Sequence, residues 1–565
     1  MEQRACQNCK QEFTIEPEDF NYYEKISVPP PTWCPECRMI RRFSFQNTWN
    51  LWWRDCDNCG KRTLSIYSPK QKLTVYCQPC WWADFWDGTE YGIEYDPQKS
   101  FLEQVNELTG KTPFMALSSS YSTLKNSEYS NDLGWSKDCY LTFWADFCDN
   151  VFYSSILNGL KYSADCLLAE DSELCYQSIS IDNCYNTFFS EECDACVNVW
   201  FSRNCYSCTN CIGCVNLRGA SNYIFNVKYS KEEYAEKLKE LGLESWQNIN
   251  VLEEKAHAFW LTKPYREYNG NSLNVNVTGE YIYESRNCKE MYISNGAENC
   301  KWGQFITVKP AKDCYDYSGW GNNGSQIYES ALVGENSDSV RFSFNCFPDS
   351  FNLDYCMMVS SGKNNFGCAN LKKKKYCILN KPYSKEEYEK LKGQIIEDMK
   401  KNPYLDKQGR KYSYGEFFPL ELSKFAYNKS NAMRFFPKTK EVALREGYSW
   451  SDEENPSPPS TLKAQDLPDN ISEATNAILD EIIECASCKR SYKIVKGELD
   501  LLRKMGLPPP RECPKCRENK RFARMTKPKL YHRKCDKCGE PIYTPYAPED
   551  PRIVYCVKDY QAEFL

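Results

Sequence analysis

The sequence predicts a mainly β, multidomain chain in which small cysteine-held modules at both ends flank a central β-solenoid, β-helix-like, with capping or packing helices. Three observations predict it. Cysteines near each end fall in C-x-x-C pairs, the two ends align with each other at a constant offset, and the middle repeats cysteine at nine-residue spacing in Asn-, Asp- and Ser-rich text. A chain of 565 residues is too long for one small core. Its 41% apolar and 26% charged residues are the balance of a folded chain. No apolar run approaches the ~20 residues of a membrane span, and "MEQRACQNCK" lacks the apolar core of a secretory leader. A cytoplasmic location is therefore expected, where 33 cysteines do not make a disulfide framework.

The N-terminal module, residues 1–90, holds Cys6/Cys9, Cys34/Cys37, Cys56/Cys59 and Cys77/Cys80. A C-x-x-C turn lets two thiolates reach one ion, and two such turns complete a tetrahedral zinc site. Order in sequence groups Cys6, Cys9, Cys34 and Cys37 on one ion and Cys56, Cys59, Cys77 and Cys80 on the next, with interleaved pairing as the alternative. A redox dithiol would need a βαβ setting, which no pair has.

The C-terminal module, residues 471–565, repeats this at an offset of 479: Cys485, Cys488, Cys513, Cys516, Cys535, Cys538 and Cys556 follow without a gap, and Asp559 stands where Cys80 would map. "VPPP" matches "LPPP", and Arg42-Phe43 matches Arg521-Phe522. Both ends therefore read as one double zinc-ribbon module. Three complete four-cysteine zinc sites are expected. Whether the fourth holds zinc at all, with Asp559 or with a weaker ligand set, is left open, with His532 as another candidate ligand.

Between the modules, residues 91–120 read as a helical connector, with a helix over 101–108 whose Ser100 and Glu103 have capping-box spacing. Residues 121–250 and 251–400 read as two solenoid halves, each ending in a helix. "GCVNL" and "YSKEEY" of the first half return as "GCANL" and "YSKEEY" at an offset of 154. Ser230/Glu233 and Ser384/Glu387 are capping boxes at the two helix starts. Cys139, Cys148, Cys166, Cys175, Cys184, Cys193 and Cys211 share one nine-residue phase, and Cys196, Cys205 and Cys214 another. Nine residues suggest half of an ~18-residue coil with cysteine stacked as small core residues. The runs Cys193/Cys196, Cys205/Cys208 and Cys211/Cys214 keep a metal role open. Residues 401–450 read as an extended segment packing on the solenoid, 451–470 as a flexible linker, and about 473–483 as a short helix.

Charge is uneven. From Cys485 to Cys538 there are 17 Lys or Arg against 5 Asp or Glu, while Cys6 to Cys59 has 6 against 8, in a chain of net charge −6. A basic ribbon suits nucleic acid, RNA first. The candidate contacts are Arg511, Lys515, Arg517, Lys520, Arg521, Arg524, Lys527, Lys529, Arg533 and Lys534, with Tyr531 and His532 to stack on bases. The alternatives are a solvated basic face or a face that docks onto the chain's own acidic middle. A protein–protein assembly scaffold is the other functional reading; oligomeric state is not set by the sequence. No G-x-S-x-G, H-E-x-x-H or Walker loop occurs. Asp146, Asp149, Asp171, Glu173, Glu191, Glu192 and Asp194 could form a carboxylate site, but such residues are also ordinary turn formers. A non-enzymatic protein is expected.

The combination of "CPECRMIRRFSFQNTWNLWWRDCDNCG", "VYCQPCWW", the two "YSKEEY" starts and "GEFFPLELSKFAYN" resembles a family of uncharacterised zinc-ribbon proteins of candidate phyla radiation bacteria. The resemblance covers nearly the whole chain. It implies a bacterial cytoplasmic protein and supplies no activity and no functional residues. That family closes its last ribbon with cysteine, so Asp559 is a departure.

Overall fold

A computed structural model describes residues 1–271, 273–453 and 456–564. The protein is mainly β, and it divides into two compact units. One comprises Met1–Leu117, Tyr268–Asp452 and Lys527–Leu530; the other comprises Ser118–Glu267, Glu453–Thr526 and Tyr531–Leu565. Each unit joins one terminal module to one stretch of the middle. No helix among the described residues is long and apolar enough to cross a membrane.

In the second unit the strands from Asn131 onward stack in parallel ladders. Ser155 faces Leu167, Leu167 faces Ile179, and Ile179 faces Glu191. On another ladder Tyr185 faces Val197, Val197 faces Thr209, and Thr209 faces Ser221. The repeat is therefore 12 residues, as the Ser154–Cys166 bond across it also shows, and the expected ~18-residue coil is corrected. The reason lies in the backbone. Every third residue is left-handed: Asp138, Leu141, Trp144, Phe147, Asn150 and Tyr153 all have φ between 48° and 57°. Such a conformation costs a non-glycine residue ~1–2 kcal/mol, and Asn and Asp, frequent here, tolerate it best.

The residue after each left-handed one points inward. Cys139, Cys148, Cys166, Cys175, Cys184, Cys193, Cys196, Cys205, Cys208, Cys211 and Cys214 all occupy this phase and are buried together with Leu133, Val151 and Leu160. Their spacings are multiples of three, which is why nine recurs. Small side chains dominate this interior, and they also satisfy the backbone. Ser154 Oγ accepts from Cys166 N–H at 2.9 Å, and Ser202 Oγ accepts from Cys214 N–H at 3.0 Å. The Cys184 thiol donates to the Cys193 carbonyl at 3.4 Å. An unmade buried hydrogen bond costs ~1–3 kcal/mol, so Ser and Cys are favoured over Ala. On one outer row Phe152, Ala164, Tyr176, Phe188 and Ile212 are buried with Ile249 and Leu252 of the Trp246–Trp260 helix and Leu499 and Leu502 of the Lys496–Met505 helix.

The first unit builds the same ladders less evenly. Lys289 faces Lys301, Lys301 faces Tyr315, and Tyr315 faces Tyr328, so the step widens before returning to Phe351 facing Lys363. Longer strands join neighbouring ladders here. Arg286–Asn295, Gln304–Val308, Tyr315–Gly321, Tyr328–Gly334, Asp338–Arg341, Gly324–Ser325, Ala311–Lys312 and Ala297–Glu298 pair in a ring, an eight-stranded closed parallel barrel. Cys288, Cys300, Cys314, Cys346, Cys356, Cys368 and Cys377 share one buried core along this unit's ladders.

The expected helices form over Lys231–Leu241 and Lys385–Lys401, each with its capping box complete. The connector helix runs Phe101–Lys111, but Ser100 makes no capping hydrogen bond. The helix expected over 473–483 is absent. Ile471–Glu473 and Asn476–Leu479 are single 3₁₀ turns that seat Ile471 and Ile478 in the core, so packing overrides local preference. Within the stretch read as a linker, Glu454 and Asn455 lie outside the described residues. Its later part is packed: Leu462 and Lys463 pair with Ile483 and Glu484, and Ala464 and Leu467 are buried.

Candidate metal centres

Each centre takes one C-x-x-C from a hairpin turn and a second ligand pair from a helix start, C-x-x-C in three centres and Cys556-x-x-Asp559 in the fourth. Cys6 and Cys9 lie between the strands Glu2–Ala5 and Glu12–Ile15, while Cys34 caps the Pro35–Ser44 helix. Cys56 and Cys59 lie between Trp52–Asp55 and Arg62–Ser65, while Cys77 caps Gln78–Trp82. In the second unit Cys513 caps Pro514–Arg524, and Cys556 precedes Val557–Phe564. The helix dipole favours a thiolate at these starts.

The four groups are Cys6, Cys9, Cys34 and Cys37; Cys56, Cys59, Cys77 and Cys80; Cys485, Cys488, Cys513 and Cys516; and Cys535, Cys538, Cys556 and Asp559. In each, all ligand atoms lie within 4.8 Å of one another. Grouping in sequence order holds, and interleaving does not. Metal–sulfur bonds of ~2.3 Å in a tetrahedron require sulfurs ~3.8 Å apart. The closest pairs fit: Cys9–Cys34 3.8 Å, Cys59–Cys77 3.8 Å, Cys488–Cys513 3.7 Å and Cys538–Cys556 3.9 Å. All these cysteines are free thiols. Backbone N–H groups support the sulfurs, Cys34 to Cys6 at 3.2 Å and Cys513 to Cys485 at 3.2 Å among them. Each group could hold one metal ion.

The fourth group brings Asp559 together with its three cysteines. Asp559 Oδ2 sits 3.2 Å from Cys535 Sγ and 3.3 Å from Cys556 Sγ, in the ligand position. Hydrogen bonds from the Cys538, Cys535 and Cys556 thiols hold its pKa below the usual carboxylate value. His532 is not in the group; it packs against Tyr543 at 4.1 Å. Among the described residues no trio of interior cysteines meets the spacing of these four groups; the ladder cysteines are buried in the two cores.

The basic residues expected to contact nucleic acid mostly have partners inside their own unit. Arg517 Nε meets Asp165 at 2.9 Å and its Nη2 meets Glu498 at 3.0 Å; Arg521 meets the other oxygen of Asp165 at 2.7 Å. Arg517, Arg521, Asp165 and Glu498 are buried. Burial raises the pKa of Glu498, against the pull of Arg517. Arg524 reaches Glu191 at 2.5 Å and Glu253 at 3.3 Å. Nearby, burial and the Arg524 charge lower the His257 pKa to about 4. Arg511 donates to the Leu467 and Pro468 carbonyls. Lys515 pairs with Glu518, Lys520 with Glu512, Lys529 with Glu36 and Arg533 with Asp536. Lys527 and Lys534 are exposed. Docking onto the chain's own ladders thus accounts for the buried arginines.

The first unit repeats this clamp. Arg38 meets Asp316 at 2.7 Å, and Arg42 meets the other oxygen of Asp316 at 3.2 Å. Arg42 also meets Glu329 at 2.5 Å, and Arg41 meets Glu329 and Glu416 at 2.5 and 3.1 Å. Burial would raise the Glu329 pKa, but Arg41, Arg42 and Arg38 outweigh it and lower it. Arg38 and Arg42 are the counterparts of Arg517 and Arg521 at the 479 offset. Asp165 and Asp316 are both left-handed, φ 56° and 51°. In the sequence they look like ordinary corner residues, and nothing local marks either as an arginine partner.

The candidate carboxylates do not form one group: Asp171 and Asp194 lie beside Asp182, and others are paired elsewhere. Asp149 pairs with Lys137, Glu191 with Arg524 and Glu192 with Arg203. Asp194 faces Asp182 across a ladder. Burial and the neighbouring Glu170, Asp194 and Asp171 push the Asp182 pKa up to about 7. Glu173 is bridged to Tyr185, and Asp146 faces Asn158. Compared with known proteins, the chain matches no protein-family model and no curated protein.

Proposed function

We propose that the protein is a non-enzymatic, zinc-stapled cytoplasmic scaffold. Zinc ions at the four centres hold the terminal modules, the parallel ladders form a β-solenoid, and its outer rows serve protein–protein assembly. One observation carries this reading: in both units the basic helix of the ribbon module turns its arginines onto a buried aspartate of the ladders. Guanidiniums engaged this way cannot neutralise phosphates. Zinc is favoured by the sulfur-rich sets of four ligands. A reducing cytoplasm suits 33 free cysteines. Exposed aromatic side chains supply the partner surface: Trp135 stacks on Phe147 with ring centroids 5.5 Å apart, and Tyr185 and Tyr206 are also exposed.

The test is composition of the purified native protein. The scaffold reading expects about four zinc ions per chain, an absorbance ratio without nucleic acid, and protein partners lost on Trp135→Ala with Phe147→Ala. Fewer than two zinc ions per chain rejects the stapled reading. Nucleic-acid binding, RNA first, is the second reading, favoured by exposed Lys527, Lys534 and His532. It expects copurifying RNA, steep loss of affinity with salt, and weakening by Lys527→Glu with Lys534→Glu.

A further inference from the structure

The fourth centre differs from its N-terminal counterpart in three linked ways. First, its fourth ligand is Asp559 in place of Cys80. A carboxylate is a harder donor than a thiolate and binds a zinc-like ion less firmly in an otherwise sulfur site. Second, the supporting donor is gone. Asn58 Nδ2 donates to Cys80 Sγ at 3.3 Å, as Asn8 Nδ2 does to Cys37 Sγ at 3.3 Å. The equivalent of Asn58 is Lys537, and its ammonium turns to Glu563 at 2.8 Å. Such supporting groups are worth ~10–100-fold in metal affinity. The third centre also has no such amide, Ser487 standing for Asn8 and meeting Glu512, so Asp559 and the anchoring of its helix are what set the fourth centre apart. Third, the helix carrying the ligand is held differently. After Cys80, Trp81 and Trp86 are both buried, and the Trp81 indole donates to the Pro113 carbonyl at 3.1 Å. After Asp559, Tyr560 is the buried side chain of the Val557–Phe564 helix.

That helix nonetheless docks on the second unit. Val554 and Tyr555 pair with Tyr265 and Arg266. Val557 N–H donates to Glu267 at 3.2 Å, and the Tyr560 hydroxyl meets Asn204. One short segment thus supplies two metal ligands, Cys556 and Asp559, and all of these contacts. We propose that the fourth centre is an exchangeable metal site whose occupancy docks the Val557–Phe564 helix, while the other three centres are permanent staples. Metal release frees Cys556 and Asp559 from the Cys535–Cys538 turn and leaves the helix held by one buried tyrosine and few hydrogen bonds. The inference rests on the zinc reading of the four centres.

The experiment uses the full chain loaded with zinc. Native mass spectrometry counts ions during graded chelation, and hydrogen exchange follows residues 75–82 and 554–564. A starting count of four establishes the zinc reading independently of the order in which the ions leave. The expected course is loss of one ion ~10–100-fold faster than the rest, with protection lost at 554–564 and kept at 75–82. Asp559→Cys should slow that first loss to the rate of the others, and Asp559→Ala should leave three ions and an unprotected 554–564. Loss of all ions together, first deprotection at 75–82, or an Asp559→Cys protein that exchanges as fast as before would overturn the inference. So would a three-ion starting protein whose 554–564 segment is fully protected.

Discussion

The Pro35–Ser44 and Pro514–Arg524 helices start from the same cysteine turn and direct equivalent arginines at an aspartate, yet their surroundings differ. In the first unit three arginines, Arg38, Arg41 and Arg42, share Asp316, Glu329 and Glu416. In the second, two arginines, Arg517 and Arg521, share Asp165 and Glu498. The third position shows the difference best. Arg41 is buried, whereas its counterpart Lys520 is largely exposed and pairs with Glu512 at 2.6 Å. The comparison teaches that the arginines common to both modules belong to folding, and that an excess of positive charge in one module is no evidence of a phosphate partner until its neighbours are known.

The largest effect should separate Arg41 from Lys520. Removing one member of a buried ion network leaves an uncompensated charge and costs ~3–5 kcal/mol, whereas an exposed pair is worth ~0–1 kcal/mol. Chemical denaturation of Arg41→Ala and Lys520→Ala should show that gap; equal losses would break the comparison. Next, Asp165→Asn and Asp316→Asn should destabilise about equally. Neutralising Asp316 takes the carboxylate partner from Arg38 while Arg42 keeps Glu329. Neutralising Asp165 takes it from Arg521 while Arg517 keeps Glu498. A clear difference in thermal unfolding would show that the neutral acceptors around one clamp, Ser318 and Gln304 or the Tyr153 carbonyl, add stability.

A smaller effect sharpens the ladder side of the comparison. Ser154→Ala should cost ~1–3 kcal/mol by orphaning Cys166 N–H. Ser221→Ala, at an exposed outward position, should stay within ~0.5 kcal/mol. Equal values from the two variants in denaturant titrations would remove the hydrogen-bonding explanation for the inward Ser and Cys. Smallest of all, Lys534→Glu at an exposed strand position should shift the unfolding midpoint little, about 0.5 kcal/mol or less. A large shift would place Lys534 in the fold rather than on a free surface.

The four ligand groups are legible in the sequence because C-x-x-C is local and the 479 offset aligns both ends residue by residue. The capping boxes at Ser230 and Ser384 are legible for the same reason. The ladder repeat is not, because cysteine marks only some inward positions. Its nine-residue gaps obey the three-residue corner rule but not the 12-residue rung. The better signal is the full inward row, Ser154, Cys166, Ser178, Ser190, Ser202 and Cys214, which steps by 12 in the sequence and in the hydrogen bonds. The clamps are hidden too, since Asp165 and Arg521 lie 356 residues apart. No local pattern distinguishes a corner aspartate that meets two arginines from one that faces water.

The central claim is that the ribbon arginines stabilise the fold rather than read a ligand. It is tested most directly by urea unfolding of the zinc-loaded full chain carrying Arg517→Ala, with the absorbance ratio of the same preparations recorded. The account predicts a loss of ~3–5 kcal/mol, because Asp165 and Glu498 would lose a buried partner, and no change in the absorbance ratio. Unchanged stability together with disappearance of copurifying nucleic acid would contradict it.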